Sequence, residues 1–405
     1  MKPLLTLVFW PAVVAASTVH ADWPCFLGPN QDLHAPAGTV LPQTLAGKPA
    51  WSIPVGVGFS GPVSRDGKVF LHYRQADTEV LLCADLATGK EVWKTAWPSH
   101  YDDPYGRGNG PRSTPCCDRD LIICLGPQGL LKTFSISDGK PVWQKDLLEA
   151  YSPPPSFFGI GFSPIVAAGK LWLNVGGPEA GIVALDPATG KELHRLAGFK
   201  SSYATPVVWK DKKNQEWLGA VTREGFALIN PRTAAVSEKM PFRSRMDASV
   251  NAASPVRTGD GLFLSACYGT GGWSLTGPKV GATTLWKNDK TLSSHFGTPL
   301  YAEGRLYGFH GRQEEGALLR CVDAAKGQVL WEKEGLGTGW VMLAGNDLIV
   351  VGEKGDLLVG AASPKGFEPR MQATPFVAPV LAAPAWDQGY LLVRDPRALH
   401  GFLMK

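Results

Sequence analysis

The sequence is short of the residues that make an enzyme easy to recognise. Its 8 histidines include no pair spaced to hold a metal, and it has no HExxH, GxSxG or GxxxxGK[ST] run. The usual signatures of zinc hydrolases, serine hydrolases and P-loop nucleotidases are therefore absent. GLGTG at 335–339 lacks the third glycine and the following helix of a dinucleotide fingerprint, and reads as a loop. No structural metal and no catalytic set is expected. Charge is sparse too: 19% of residues are Asp, Glu, Lys or Arg, and the net charge is +4 with no basic run. Nucleic acid is not expected as a partner.

Long apolar runs are also missing. The longest, Leu4 to Val14, contains Pro11 and falls short of the roughly 20 residues that cross a bilayer. Preceded by Lys2 and followed by small residues ending Val19-His20-Ala21, it fits a secretory leader cleaved after Ala21. The expectation is a periplasmic or secreted protein with no stable membrane anchor, in which 22–405 form one domain. Asp22-Trp23-Pro24, ahead of Cys25, lacks the residues of a lipoprotein signal. The chain has 7 cysteines, and an odd number in an oxidising compartment leaves at least one unpaired, so disulfides are not the framework of the fold.

Turn formers are abundant, with 47 Gly and 33 Pro. They punctuate a repeat. LATGKEVW (86–93), ISDGKPVW (136–143), PATGKELH (187–194) and AAKGQVLW (324–331) each place Gly four residues before an aromatic position, and NPRTAAVSE (230–238) is a degenerate copy. The register runs Trp93, Trp143, His194, Glu238, Trp286, Trp331, with spacings of 44 to 51. Half a repeat away, a small residue followed by Pro opens an apolar strand at Pro62, Pro115, Pro164, Pro206, Pro255, Pro299 and Pro384. The last gap holds one further copy without Pro, from Val341, which makes eight.

Four short strands per copy, joined by Asp/Gly turns, is the signature of a propeller blade. The reading is all-β: an eight-bladed β-propeller of four-stranded antiparallel blades. Trp51 in KPAWSIPV is a lone outer strand, and the C-terminal copy lacks only that strand, so the two termini are expected to close the ring and remove an exposed edge. Cys83 and Cys321 occupy the same place in two repeats, where a third has Val183, and are expected to be buried.

DWPCFLGPN (22–30), the ATGKxxW turns, GPRSTP (110–115) and HFGTP (295–299) together resemble the pyrroloquinoline-quinone (PQQ)-like repeat family over essentially the whole mature chain. The resemblance implies the propeller. It also brings two roles into view: quinoprotein alcohol dehydrogenases, with PQQ and calcium on the axis and an Asp as base, and a propeller lipoprotein that assists outer-membrane protein assembly. For the first, Cys116-Cys117 resembles a vicinal disulfide. As neighbours on an inner strand, however, the two point to opposite faces, which disfavours the bond. Asp247 and Asn251 are the best remnants of a calcium site, and SRMDASVN lacks the other acids.

Loop lengths separate the two faces. The turns between the third and fourth strands are uniformly short. The opposite face carries the connections 97–113, 146–162, 241–253 and 287–297, and the loops 268–281 and 311–317. Binding is expected on that long-loop face, because a rigid ring tolerates insertion there. Residues just ahead of the Pro markers should converge on the channel: Phe59, Arg112, Phe162, Tyr203, Asn251, His295 and Trp340. Of these, Arg112, Tyr203, Asn251, His295 and Trp340 form the candidate set for a protein partner or small ligand. The leading expectation is a non-catalytic binding or scaffold module. A dehydrogenase using PQQ with calcium, or an assembly-factor-like propeller, are the alternatives.

Overall fold

The computed structural model describes residues 22–404 apart from 45, 155, 245, 247–250 and 280. Eight four-stranded antiparallel sheets follow one another round a ring, each ordered as in the sequence from the axis outward. The first blade is Val63–Arg65, Lys68–Gln75, Thr78–Asp85 and Glu91–Pro98. The eighth is Ala385–Asp387, Tyr390–Arg394 and Ala398–Leu403, completed on the outside by Trp51–Pro54. Trp51 pairs with Gly401 and Pro54 with Ala398, so the closure expected from the two termini is present. The seventh blade begins with Gly339–Ala344, which places Trp340 inside an inner strand instead of ahead of one.

The repeated turn works between blades. Trp93 donates its indole N–H to the carbonyl of Ile136 in the next blade, Trp143 to Pro187 and Trp286 to Ala324, at 2.9–3.1 Å. Each indole lies on the glycine of that neighbouring turn. A Cβ on Gly139, Gly190 or Gly327 would come within 2.5–2.7 Å of the ring, and all three have φ near +70°. Trp51 does the same to the first blade, bonding Leu86 O at 2.9 Å and lying over Gly89. The third blade has His194 at this position, and the turn that follows it has Ala234 in place of Gly. At this junction tryptophan and glycine are both replaced, whereas Trp331 of the sixth blade keeps its bond to Ser363 O beside a Gly366 whose Cβ would meet nothing within 4 Å.

The Ser/Thr-Pro marker is a second inter-blade device. The N–H of Gly61 donates to Thr114 Oγ1, that of Thr114 to Ser163 Oγ, that of Ser163 to Thr205 Oγ1 and that of Ser254 to Thr298 Oγ1, all at 2.9–3.0 Å. Ser254 Oγ also donates to Thr205 O at 2.8 Å. These bonds run circumferentially round the channel mouth. The hydroxyls satisfy backbone N–H groups where the chain turns into each inner strand and no ladder partner exists.

The DWPCFLGPN segment, which carried only a family resemblance in the sequence, plugs the ring. Trp23 O accepts from Ser64 N, Pro24 O from Cys117 N and Leu33 O from Leu343 N, at 2.7–2.9 Å. The Gln31 side chain donates to Pro206 O and accepts from Val208 N, and Arg257 donates to Asn30 O. These partners come from the inner strands of five blades, so the segment crosses the axis at the end opposite the long loops. Trp23, Leu27 and Leu33 are each 1% exposed within the core shared by the first, sixth, seventh and eighth blades. Gly28, at φ +89°, leaves room for the Trp23 ring, which a Cβ there would meet at 2.8 Å.

All seven cysteines are free and buried. Cys83 and Cys321 are fully buried core residues, and Cys116 and Cys117 are successive inner-strand residues with separate thiols. The leader assigned to 1–21 lies outside the described residues. Among the described residues, no helix is long and apolar enough to cross a membrane.

Candidate functional site

The connections leaving each outer strand and the loops between second and third strands share one face of the ring, as strand direction requires. The longest, after Pro98, braces itself. Asp103 N–H donates to Asn109 Oδ1 at 2.8 Å, Asn109 Nδ2 to Asp102 Oδ1 at 2.7 Å, and Arg107 N–H to Asp103 Oδ2. Arg107 then reaches Glu314 of the sixth blade at 3.7 Å, so this loop arches over the channel mouth. A short helix, Leu147–Tyr151, capped by Asp146, starts the next long connection.

Arg112 lies beneath this arch, its guanidinium 5.1 Å from the Phe59 ring and 5.6 Å from the Phe158 ring. Its Nη2 is 3.6 Å from the buried Asp103 carboxylate. Tyr203 continues the row: its hydroxyl accepts from Phe158 N–H at 2.8 Å and its ring is 6.1 Å from that of Phe158. His295 forms a separate group with Tyr268, whose hydroxyl is 3.0 Å from Nε2, and Arg312 lies over the Tyr268 ring. Burial pushes the His295 imidazole below its ordinary range, opposed by the Glu314 carboxylate. The Arg107–Glu314 contact links the two groups.

The remaining expected residues are interior. Asn251 is 1% exposed, and its side-chain Nδ2 donates to Thr222 O and Phe242 O while its backbone carbonyl accepts the N–H groups of Tyr203 and Ala204. Trp340 is 4% exposed, bonds Leu381 O at 2.9 Å, and packs edge-on against Phe26 of the plug. Phe162 is fully buried. Asn251 thus fixes the chain entering the fourth blade, and Trp340 seals the channel against the plug. Asp247 lies outside the described residues.

Sequence reasoning missed a cleft of about 140 Å³ between the second and fourth blades, lined by Ser156, Phe157, Lys200, Ser201, Tyr203 and Arg223 among others. Tyr105 and Phe157, 55% and 36% exposed, stand beside it. The signal was available as PPPSFFG, two adjacent aromatics in a proline-rich long loop.

Quinone with calcium does not fit the residues described. Among them no group of three or more His, Cys, Asp or Glu side chains could hold a metal ion. The buried Asp103 carboxylate is engaged by Arg112 and by the Arg107 N–H. Cys116 and Cys117 carry separate thiols, and the axis is filled by the plug with Trp340.

Eight antiparallel blades, Trp-on-Gly contacts between successive turns and a face of elaborated loops define a repeat propeller. The chain is an eight-bladed β-propeller that resembles the PQQ-like repeat family. A family described as outer membrane protein assembly factor BamB matches residues 36–211. The outer membrane protein assembly factor BamB of Yersinia pestis is 24% identical over 315 residues, 75% of this chain and 76% of that protein. Among solved structures, BamB from Moraxella catarrhalis superposes with a TM-score of 0.64 at 11% identity, over 88% of this chain and 98% of that one. Quinohemoprotein alcohol dehydrogenase from Comamonas testosteroni gives 0.66 at 13%, over 95% and 80%. At these identities the two structures share the fold, which both roles use.

Proposed function

We propose that this protein is an exported, non-catalytic propeller that holds a protein partner on its long-loop face. The observation that carries the reading is the row Tyr105, Phe157, Phe158 and Tyr203, partly exposed beside a cleft, with the Arg112 guanidinium stacked behind it. Exposed aromatics backed by arginine are the residues that dominate protein–protein binding energy. Tyr203 lines the cleft, Arg112 stacks on Phe158 beside it and the Asn251 backbone carbonyl holds the Tyr203 N–H, while His295 and Trp340 sit elsewhere on the ring. Relatives named outer membrane protein assembly factor support a partner-binding role over chemistry. The secretory leader read at 1–21 is consistent with a periplasmic or secreted location.

A photo-reactive phenylalanine analogue installed at Tyr105 or Phe157 tests the face, with Asp66 on the opposite face and Val92 on the rim as controls. A discrete cross-linked partner from positions 105 and 157 alone is expected; cross-links confined to 66 or 92 overturn the reading. Dye-linked alcohol oxidation by the purified protein with PQQ and calcium would overturn the non-catalytic part.

A further inference from the structure

The cleft beside Phe157 has a chemistry that narrows what enters it, and this inference rests on the long-loop-face reading above. Its volume, about 140 Å³, is below the 300–1,000 Å³ of sites that enclose a whole small molecule. It has room for one side chain of a longer ligand that continues over the surface.

The walls specify that side chain. Phe157 and Tyr203 are apolar surfaces, Lys200 and Arg223 are cations, and among the described residues no carboxylate lines the cleft. Glu224 lies outside the lining, 3.5 Å from Lys200 Nζ, as a partner for it. With 65% and 43% of their side chains exposed, that pair is of the kind that contributes little in water, so a second carboxylate can take Lys200 Nζ while Glu224 stays on the Lys200 N–H at 3.2 Å. Arg223 is held in place by its own bond to Met246 O at 2.9 Å.

The serines add a second requirement. Ser201 spends its proton on Asn174 O, Ser202 on Val221 O and Ser156 on Gly159 O. Ser202 Oγ already accepts from Asn174 Nδ2 and Ala204 N–H, so the lone pairs on offer are those of Ser201 and Ser156, and a ligand that brings hydrogen-bond donors as well as negative charge satisfies them. A free dicarboxylate brings charge without donors. A peptide supplies both, through a carboxylate side chain and the backbone N–H groups beside it.

We infer that the cleft receives an acidic side chain, Glu or Asp, from an extended segment of a protein partner, with an adjacent aromatic or aliphatic residue resting on Phe157. The probe is a fluorescein-labelled decapeptide with one central Glu followed by Phe, titrated by anisotropy into the full-length mature protein. Replacing that Glu by Gln, or N-methylating its backbone nitrogen, should each weaken binding about tenfold, the scale of one charge-assisted hydrogen bond. Lys200→Gln and Phe157→Ala should do the same at an unchanged melting temperature.

Equal binding of the Glu and Gln peptides overturns the inference. So does competition by free glutarate as effective as that of the unlabelled peptide, which would make the site one for small anions. These outcomes leave the cross-linking result at positions 105 and 157 untouched, so the narrower claim can fail while the face remains a binding face.

Discussion

Trp93 of the first blade rests on Gly139 of the second: a Cβ at that glycine would lie 2.5 Å from the indole, and its φ is +70°. Gly139→Ala should therefore combine a left-handed backbone penalty with overpacking, about 3 kcal/mol in all. In a Trp93→His background, which copies the His194 arrangement of the third blade, only the backbone part remains and the cost should fall to about 1–2 kcal/mol. A double-mutant cycle from urea midpoints reads the coupling; additivity would show the two residues to be independent.

The circumferential bonds make an isosteric test possible. Thr205→Val keeps the shape but leaves the Ser163 N–H, now bonded to Thr205 Oγ1 at 2.9 Å, without an acceptor in a buried setting. A loss of about 1–3 kcal/mol is expected, whereas Thr205→Ser should be nearly neutral. Equal losses in the two variants would assign the effect to packing.

Gln31 joins the plug to the fourth blade through both ends of its amide, with Pro206 O at 2.9 Å and Val208 N at 2.8 Å. Gln31→Ala should cost about 1–3 kcal/mol and raise hydrogen exchange at Val208 above that of the second strand of the same blade, Glu216–Val221. Unchanged exchange at Val208 would mean that the plug does not protect this inner strand.

Acid should loosen the closing seam. Burial raises the Asp395 pKa, but bonds from His400 and from the N–H groups of Val377, Arg397 and Ala398 outweigh it and hold the carboxyl at about 2. A carboxyl depressed in the folded state stabilises above its unfolded pKa, near 4, and loses that contribution as pH falls from about 4 through about 2. The contribution is on the order of 2 kcal/mol. His400 passes the connection on to Ser52 of the closing strand, Nδ1 to Oγ 2.8 Å. Asp395→Asn should remove this acid limb from a stability–pH curve; a limb of unchanged size would exclude Asp395 as its source.

The repeat markers were legible because they recur, and recurrence exposes register without any knowledge of contacts. What they do was not legible. The sequence pairs Gly with the Trp four residues later in the same turn, yet Gly139, Gly190 and Gly327 each lie under the Trp of the preceding blade. Asn251 and Trp340 were placed near the mouth by position alone, and only burial and bonding show that they face inward. The plug was hidden for a different reason. It is a single, non-repeating segment, and its partners lie between 41 and 310 residues away.

By itself the sequence determined eight blades, their order, the closing strand at Trp51 and the face with room to vary. These follow from local periodicity, turn chemistry and the need to leave no open sheet edge. Only the tertiary structure decided that the N-terminal segment closes the axis, that the loop after Pro98 arches over the other end, and that Phe157, Lys200 and Arg223 frame a cleft. Those arrangements depend on side chains from different blades meeting across the ring, and no spacing along the chain encodes such a distance.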